Sequence, residues 1–237
     1  MISFVIPTFN EESHIGDALQ SIEAACSVPH EIIVADHAST DETRRIASES
    51  ACLVTEGGLP AVGRNAGARL ARHELIVFLD ADSRYSAVVE SAILSRLDTH
   101  DALSFPISPL PSERSLLTRF CCRVANAYIN LRNRMGFPIG WGACLFVKRS
   151  AFATCGGFRE DLLRFEDFEF IGRVAKTAKY EFVRQVSVET SSRRLIQGGL
   201  LRYVMLCVVP EICRHLVGWP TKKIGRWMGY DDWHQES

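Results

Sequence analysis

The chain has 237 residues, with 27 basic and 28 acidic side chains and a formal net charge of −1. This balance gives no electrostatic support for binding nucleic acid, and a hydrophobic share of 47% suffices for an ordinary globular core. The length predicts one large α/β domain with a small terminal appendage. Eight cysteines, none in a C-x-x-C pair, predict reduced core thiols in a cytoplasmic protein rather than a zinc site.

The first third of the chain alternates short apolar runs with helical periodicity. Residues 2–6 predict a buried strand that Pro7 ends, because proline cannot donate to a ladder. Ile15, Leu19 and Ile22 then recur at the spacing of a helix. The alternation continues with strands predicted at 31–36, 52–54 and 75–79. Helices are predicted at 64–71 and from a cap at Thr40 or Asp41 to about residue 50. Such repeats predict a parallel sheet, and no G-x-G-x-x-G follows the first strand, which argues against dinucleotide binding.

Two carboxylates, Asp80 and Asp82, follow the apolar run 75–79 with only Ala81 between them. The run predicts a strand buried on both faces, and in an open α/β sheet its C-terminal end borders the ligand crevice. Carboxylates so close repel each other unless a cation or a shared proton relieves them, and oxygen ligands favour Mg²⁺ or Mn²⁺. A solvated acidic turn is the alternative interpretation of this tripeptide.

The middle of the chain predicts further helices and strands around a glycine-rich stretch. Strands are predicted at 102–106, 144–147, 180–183 and 186–188. Helices are predicted at 88–97, from Ser112 or Ser115 to 135, from 148 to the closing pair Gly156–Gly157, and at 168–178. Residues 136–142 predict either a close approach of backbone to a ligand or an ordinary turn. Glu166 and Asp167 open the last helix, where the helix dipole alone would favour carboxylates.

The C-terminal segment 198–237 begins with an apolar stretch. Its uninterrupted part is too short to span a bilayer. Residues 198–227 carry basic and aromatic side chains that would suit a helix lying in a membrane interface, and packing on the domain or on a second subunit is the alternative. We therefore divide the chain into a domain at 1–197, with halves at 1–100 and 101–197, and a tail at 198–237.

Four segments, taken in order, resemble the family 2 glycosyltransferases of the GT-A fold. They are residues 5–12, 34–43 and 78–82, and Gly156–Gly157–Phe158 followed by Glu166–Asp167. The resemblance implies a mostly parallel, Rossmann-like α/β sheet flanked by helices. It also implies an inverting, metal-assisted transfer of a sugar from a UDP- or GDP-sugar to an acceptor hydroxyl, with a lipid-linked acceptor as one option. No Q-x-x-R-W motif is present, so the chain resembles a small, non-processive, bacterial-type subgroup.

The same resemblance implies roles for individual residues. Pro7, Phe9, Glu11 and Asp36 would line the nucleoside pocket, and Arg64 would bind the nucleotide. Asp80 would contact the ribose or the metal, Asp82 would be the metal ligand, and Arg193 and Arg194 would contact the diphosphate. Asp167 would be the general base, with Glu166 as the fallback. His37 and Ala38 stand where the family often has Asp and Gly. That departure leaves the base preference open.

Two other classes of function remain open from the residues. A phosphatase of the haloacid-dehalogenase type would use Asp80 as nucleophile and Asp82 as acid/base. Those enzymes usually place the motif on the first strand and follow it with Gly-Thr, whereas Ser83–Arg84 follows here. A non-catalytic, nucleotide-sugar-binding or membrane-associated scaffold is the second, and the intact Glu166–Asp167 pair argues against it. We expect a cytoplasmic location, with peripheral contact to the inner face of the membrane as an option.

Overall fold

A computed structural model describes residues 1–50 and 52–193, which form a mixed α/β fold. The strands of this part are β1 (Ile2–Thr8), β2 (His30–Asp36), β3 (Leu53–Glu56), β4 (Leu75–Leu79), β5 (Ser83–Arg84), β6 (Ala102–Ser104), β7 (Ile107–Pro109), β8 (Cys144–Lys148), β9 (Tyr180–Phe182) and β10 (Val188–Thr190). The α-helices are α1 (Ile15–Ala25), α2 (Thr43–Glu49), α3 (Pro60–Leu70), α4 (Ala87–Leu94), α5 (Leu116–Arg134), α6 (Arg149–Cys155) and α7 (Glu166–Thr177).

The described strands form a seven-stranded sheet in the order β3-β2-β1-β4-β8-β6-β9 and a three-stranded sheet in the order β5-β10-β7. Strands β1 to β4 are parallel, which confirms the prediction from the strand–helix repeats. Strand β8 is antiparallel to both of its neighbours, β4 and β6. The large sheet runs through both predicted halves of the domain, and the boundary between them stays a prediction.

Strand β1 continues through Pro7 to Thr8, so the prediction that Pro7 ends it was wrong. Pro7 pairs with Ala35 of β2, while the ladder with β4 stops at Val5. The N–H that proline lacks would point toward the β4 side, because Thr8 accepts from His37 on the β2 side. Since no β4 ladder bond exists at that position, proline costs the sheet nothing there.

The sheet is covered on both faces, as the unbroken apolar runs of its central strands predict. One face packs Phe4, Val34 and Leu79 against α1 and α4. The other packs Val5 and Phe78 against α3, α6 and α7. Gly67 of α3 lies so close to Val5 that a Cβ atom there would clash, which brings this helix tightly against β1.

Helix boundaries follow local chemistry that the sequence signals only in part. Ser115, one of two predicted starts, caps α5: its Oγ accepts from the Thr118 N–H at 3.1 Å, and Thr118 Oγ1 accepts from the Ser115 N–H at 2.9 Å. Helix α3 begins at Pro60, four residues before the predicted start at Arg64, because proline suits the first turn of a helix. Glu42, with no side-chain cap bond, precedes α2, and nearby Asp41 accepts from the Thr43 N–H.

The small sheet was not predicted: the predicted strand 186–188 overlaps β10 only at Val188, and neither β5 nor β7 was predicted. Strand β5 follows Asp82 directly, and β10 pairs with it in antiparallel register. This pairing brings the polar segment after β10 back to the end of β4. No helix among residues 1–50 and 52–193 is both long and apolar enough to cross a bilayer. Arg194 and the predicted C-terminal apolar helix, with its contact residues 198–227, lie outside the described residues.

Candidate active site

The two carboxylates of the Asp80–Ala81–Asp82 turn lie just beyond the C-terminal end of β4. The Asp80 N–H donates to the carbonyl of Ala143 at 3.1 Å, which continues the β4–β8 pairing by one residue. The Asp82 side chain is mostly covered and accepts from Thr190 Oγ1 at 3.3 Å. The turn is therefore held by the large sheet on one side and by the small sheet on the other.

Arg193 lies next to both the Asp82 turn and the loop after β1. Its guanidinium pairs with Glu11 and lies 3.7 Å from Asp82 Oδ2. The backbone before it is fixed by two contacts, from the Ser191 N–H to the Asp82 carbonyl at 3.0 Å and from Ser191 Oγ to Glu113 Oε1 at 2.8 Å. Burial, followed by the positive charge of Arg193, lowers the pKa of nearby His14. The Arg193 guanidinium thus lies between the Glu11 and Asp82 carboxylates, near the C-terminal ends of β1 and β4.

Arg64 connects the Asp80 side of the site to the start of α7. Its Nη2 donates to Asp80 Oδ1 at 2.7 Å and its Nη1 to Glu166 Oε1 at 2.6 Å, while its guanidinium lies over the Phe158 ring. Only 4% of the Arg64 side chain is exposed. Burial disfavours the charged guanidinium, but the Asp80 and Glu166 carboxylates outweigh that cost and raise the pKa of Arg64.

Asp167 and Glu166 have different surroundings although they are adjacent. Glu166 is buried and bonded to Arg64. Asp167 Oδ2 accepts from the Gly142 N–H, and Oδ1 from the Phe168 N–H, both at 2.8 Å. Burial raises the pKa of Asp167 to about 7, and the charge of Glu166 adds to this rise while Arg64 opposes it. A carboxyl with such a pKa can both accept and release a proton near neutral pH.

The space beside the Asp167 carboxyl admits only a residue without a side chain at position 142. A Cβ atom on Gly142 would stand 2.8 Å from the Arg64 guanidinium and 3.2 Å from Asp167 Oδ2. The stretch 136–142 therefore brings backbone close to the Arg64 and Asp167 side chains, and its approach to a ligand stays a prediction.

Asp36, predicted to line the nucleoside pocket, is fully buried and organises the loop after β2. Its carboxylate accepts from Thr8 Oγ1 at 3.2 Å, from the Ser39 N–H at 3.0 Å and Oγ at 2.5 Å, and from Arg44 at 3.1 Å. Inside this loop Ala38 has φ of +52°, in the left-handed region that glycine adopts without strain. This is a physical reason for a glycine at that position in related chains, and direct contact between Asp36 and a nucleoside stays a prediction.

The other two residues predicted for the nucleoside pocket lie where β1 ends. Pro7 is half-buried beside Gly63 of α3, and Phe9 contacts the His37 ring with 5.4 Å between the ring centroids. Together with Glu11, they form the rim between the β1 and β2 loops. Whether a nucleoside fills this rim stays a prediction.

The structure therefore brings most predicted site residues to one edge of the sheet. Contacts link Glu11, Asp82 and Arg193 in one group and Asp80, Arg64 and Glu166 in another, with Asp167 beside the second. Sequence reasoning missed three residues that hold the site residues in place: Thr190, Glu113 and Asn65. The Asn65 side chain hydrogen-bonds both the N–H and the carbonyl of Phe158 at 2.9 Å. Each acts through a contact distant in sequence, so no local pattern signals it.

The turn fits a divalent cation that takes part of its coordination from substrate. In the described part of the chain, no three His, Cys, Asp or Glu side chains form a cluster that could hold a metal unaided. Mg²⁺ and similar ions are commonly bound through one or two carboxylates plus substrate phosphates. Asp82 suits this arrangement, because its Oδ2 lies beyond hydrogen-bond range of Arg193, at 3.7 Å. Asp80 would be the second metal ligand, and its Oδ1 already accepts a hydrogen bond from Arg64.

The mostly parallel sheet, with the Asp80 and Asp82 carboxylates just beyond the C-terminal end of β4, defines a protein of the α/β class. The sequence model of "Glycosyl transferase family 2" matches residues 3–156, and the chain belongs to that family. An "Uncharacterized glycosyltransferase" of Haemophilus influenzae is 24% identical over 184 residues, covering 72% of this chain and 60% of that protein. A teichoic acid poly(glycerol phosphate) polymerase of Staphylococcus epidermidis is 23% identical over 77% of this chain and 27% of its own length.

Solved structures show the same fold. Residues 1–349 of TarS from S. aureus, in complex with UDP-GlcNAc, superpose with a TM-score of 0.62 at 19% sequence identity, over 81% of this chain and 58% of that TarS chain. The mannosyltransferase PcManGT of Pyrobaculum calidifontis, in complex with GDP-Man and Mn²⁺, superposes with a TM-score of 0.60 at 23% sequence identity. The match covers 80% of this chain and 56% of that chain. Glucosyl-3-phosphoglycerate synthase of Mycobacterium tuberculosis, in complex with Mn²⁺, UDP and glucosyl-3-phosphoglycerate, superposes with a TM-score of 0.56 at 17% sequence identity. The match covers 87% of this chain and 79% of that chain. The predicted GT-A type fold is confirmed.

Proposed function

We propose that this chain is an inverting glycosyltransferase that moves a sugar from a UDP- or GDP-sugar to an acceptor hydroxyl. Family membership supports transfer from a nucleotide-sugar donor. The observation that carries the finer proposal is the Arg64 bridge, which joins Asp80 of the metal-binding turn to the start of α7, where Asp167 lies. The bridge holds a donor-side group and an acceptor-side group in one rigid unit.

Each group has a distinct task in the proposed reaction. Asp82, with Asp80, would hold Mg²⁺ or Mn²⁺, and the bound cation would offset charge on the diphosphate leaving group. Arg193 approaches Asp82 to 3.7 Å and would contact the same diphosphate. Asp167, oriented by the Gly142 N–H, takes the proton from the acceptor hydroxyl as that oxygen attacks the anomeric carbon. Attack on the face opposite the leaving group inverts the configuration.

The acceptor side is the less defined part of the proposal. We propose a lipid-linked acceptor and a cytoplasmic enzyme that contacts the inner face of the membrane peripherally. The Staphylococcus relative, a teichoic acid polymerase by its description, offers limited support, since the chain spans only 27% of its length. Arg194 and residues 198–227, which lie outside the described residues, stay candidates for diphosphate contact and for membrane contact, respectively.

Removal of the Asp82 carboxylate tests the donor site. In Mn²⁺ or Mg²⁺, we expect Asp82→Ala to bind UDP or GDP at least about tenfold more weakly than wild type, measured by titration calorimetry, because the cation loses its main protein ligand. Asp98→Ala, an exposed aspartate after α4, is the matched control and should bind normally. Equal affinity of Asp82→Ala and wild type would contradict the metal assignment.

Product analysis separates the proposed function from the two alternatives. A transferase should release UDP or GDP from its sugar donor, slowly to water and faster with acceptor. Inorganic phosphate released from a phosphomonoester, with Asp80 as nucleophile, would identify a phosphatase. Donor binding without any cleavage or transfer, in the presence of membrane lipid extracts, would identify a scaffold.

A further inference from the structure

The outer face of α5 is an exposed apolar stripe. Its members are between 38% and 88% exposed, and they are Leu116, Leu117, Phe120, Val124, Tyr128 and Leu131. At about 100° per residue, these side chains fall within an arc of roughly 120° on the helix. Met135 and Phe137, 60% and 52% exposed, extend the stripe past the helix end. So many large apolar groups on one exposed face indicate a surface that is covered in use.

Arginines line both edges of this stripe. On the same helical projection, Arg119, Arg123 and Arg134 fall along one edge and Arg132 along the other. No acidic residue occurs between Glu113 and Glu160 in the sequence. An apolar arc flanked by arginines on both sides is the pattern of a helix that lies in a membrane interface, with its charged groups reaching the headgroups.

The inner face of α5 is anchored, so the outer stripe does not belong to the described core. Asn126 bonds both backbone groups of Ile107, at 3.0 and 2.8 Å, and also accepts from the Trp141 indole at 2.9 Å. Ile129 is fully buried against Ile139 and Phe168. The helix is thus fixed beside the segment that leads to Gly142 and Asp167.

Charge decides among the three occupants that could cover the stripe. A second copy of α5 would bring the same four arginines together with no carboxylate on the helix to offset them. The tail from 194 to 237 carries six basic and four acidic residues, a net charge of +2, so as a whole it does not offset the charge of the four arginines. An anionic lipid surface satisfies both the apolar arc and the arginines.

We propose that the outer face of α5 docks the protein on an anionic lipid bilayer. This surface is separate from the tail at 198–227, and the inference does not depend on the proposed transfer reaction, because vesicle binding is measured without donor. Docking through α5 would hold the Asp167 side of the site near the membrane, through the contacts of Asn126 with Trp141 and of Ile129 with Phe168.

Vesicle sedimentation with the full chain tests the proposal. We expect binding to vesicles of equal parts phosphatidylglycerol and phosphatidylcholine, weaker binding to pure phosphatidylcholine, and release by high salt. The double variant Phe120→Ser/Leu131→Ser should lower the partition coefficient at least about tenfold, because two large apolar side chains no longer enter the bilayer. Arg119→Gln/Arg123→Gln should lower binding to the anionic vesicles only.

The matched control is Leu53→Ser/Val88→Ser, which removes two apolar side chains that are 51% and 62% exposed elsewhere on the surface. It should bind vesicles like wild type, and circular dichroism should give all variants similar melting temperatures. Wild-type binding by Phe120→Ser/Leu131→Ser would overturn the proposal. So would a wild-type dimer that this variant dissociates, or a large loss of thermal stability in it, since these indicate a second copy or the tail as the occupant.

Discussion

At the scale of single residues, the contact with Arg64 gives the neighbouring carboxylates of Glu166 and Asp167 different surroundings. Arg64 bonds Glu166 at 2.6 Å and keeps it as a buried counter-ion. Among the described residues, Asp167 accepts hydrogen bonds from two backbone N–H groups, and burial followed by the Glu166 charge raises the pKa of Asp167 to about 7. The surroundings therefore favour Asp167 over Glu166 as a group that exchanges a proton, which agrees with the order of preference drawn from the sequence.

Asp167→Asn should keep donor affinity and lower the rate of sugar transfer by about 10²–10⁴-fold, because the amide cannot accept the hydroxyl proton. In wild type, the rate should rise with pH through about 7 as the carboxyl ionises. Steady-state kinetics and donor titration check both expectations, with Asp98→Asn as the control. Undiminished transfer in Asp167→Asn would assign the base elsewhere.

The raised pKa of Asp167 also predicts how the stability of the folded protein changes with pH. The folded-state pKa of Asp167, about 7, lies above the ordinary value of 3.8, so folding disfavours the ionised form. Its contribution is therefore fully present below about pH 4 and is lost as pH rises through about 7. The melting temperature of Asp167→Asn relative to wild type should be higher at about pH 8 than at about pH 4.

At the scale of elements, α3 is the structural link between the two sides of the site. It packs on β1 through Gly67 and presents Arg64 to Asp80 and Glu166. The next residue, Asn65, bonds the backbone of Phe158, which ties α3 to the segment after α6. One helix turn thus fixes the relative position of three chain segments that are distant in sequence.

Arg64→Met should destabilise the protein by about 3–5 kcal/mol, because two buried or half-buried carboxylates would lose their shared counter-ion. Arg69→Met is the matched control on the same helix: Arg69 is 67% exposed and pairs with Glu160 on the surface, so its loss should cost at most about 1 kcal/mol. Urea unfolding measures both variants. Equal destabilisation would mean that helix propensity, not the buried ion pair, dominates at these positions.

At the scale of the whole molecule, the site joins the two sheets of the described chain. Asp80 and Asp82 follow β4 of the large sheet, while Thr190, the last residue of β10 in the small sheet, and Arg193, three residues further on, lie close to Asp82. A diphosphate bound there would contact groups from both sheets, and Glu11 lies on the loop after β1 of the large sheet. Binding should therefore stabilise the fold as a unit.

UDP or GDP with Mn²⁺ should raise the melting temperature, because a ligand at about 100 times its Kd adds roughly 2.7 kcal/mol of stability. UMP or GMP should give a smaller rise, since these nucleotides lack the second phosphate that Arg193 and the cation would hold. A thermal-shift assay with and without EDTA measures this. An identical rise in EDTA would contradict a metal shared between Asp82 and the diphosphate.

Patterns in the amino-acid sequence were enough to predict the α/β class, the buried strand before Asp80 and Asp82, and the first helix through Ile15, Leu19 and Ile22. These features depend on periodicity within one element, which local patterns report. No such pattern predicted that Pro7 stays within β1, that Asp36 is enclosed by hydrogen bonds, or that Arg64 bridges Asp80 to Glu166. Those outcomes depend on contacts between residues up to 102 positions apart, and the free energy of such contacts leaves no periodic trace along the chain.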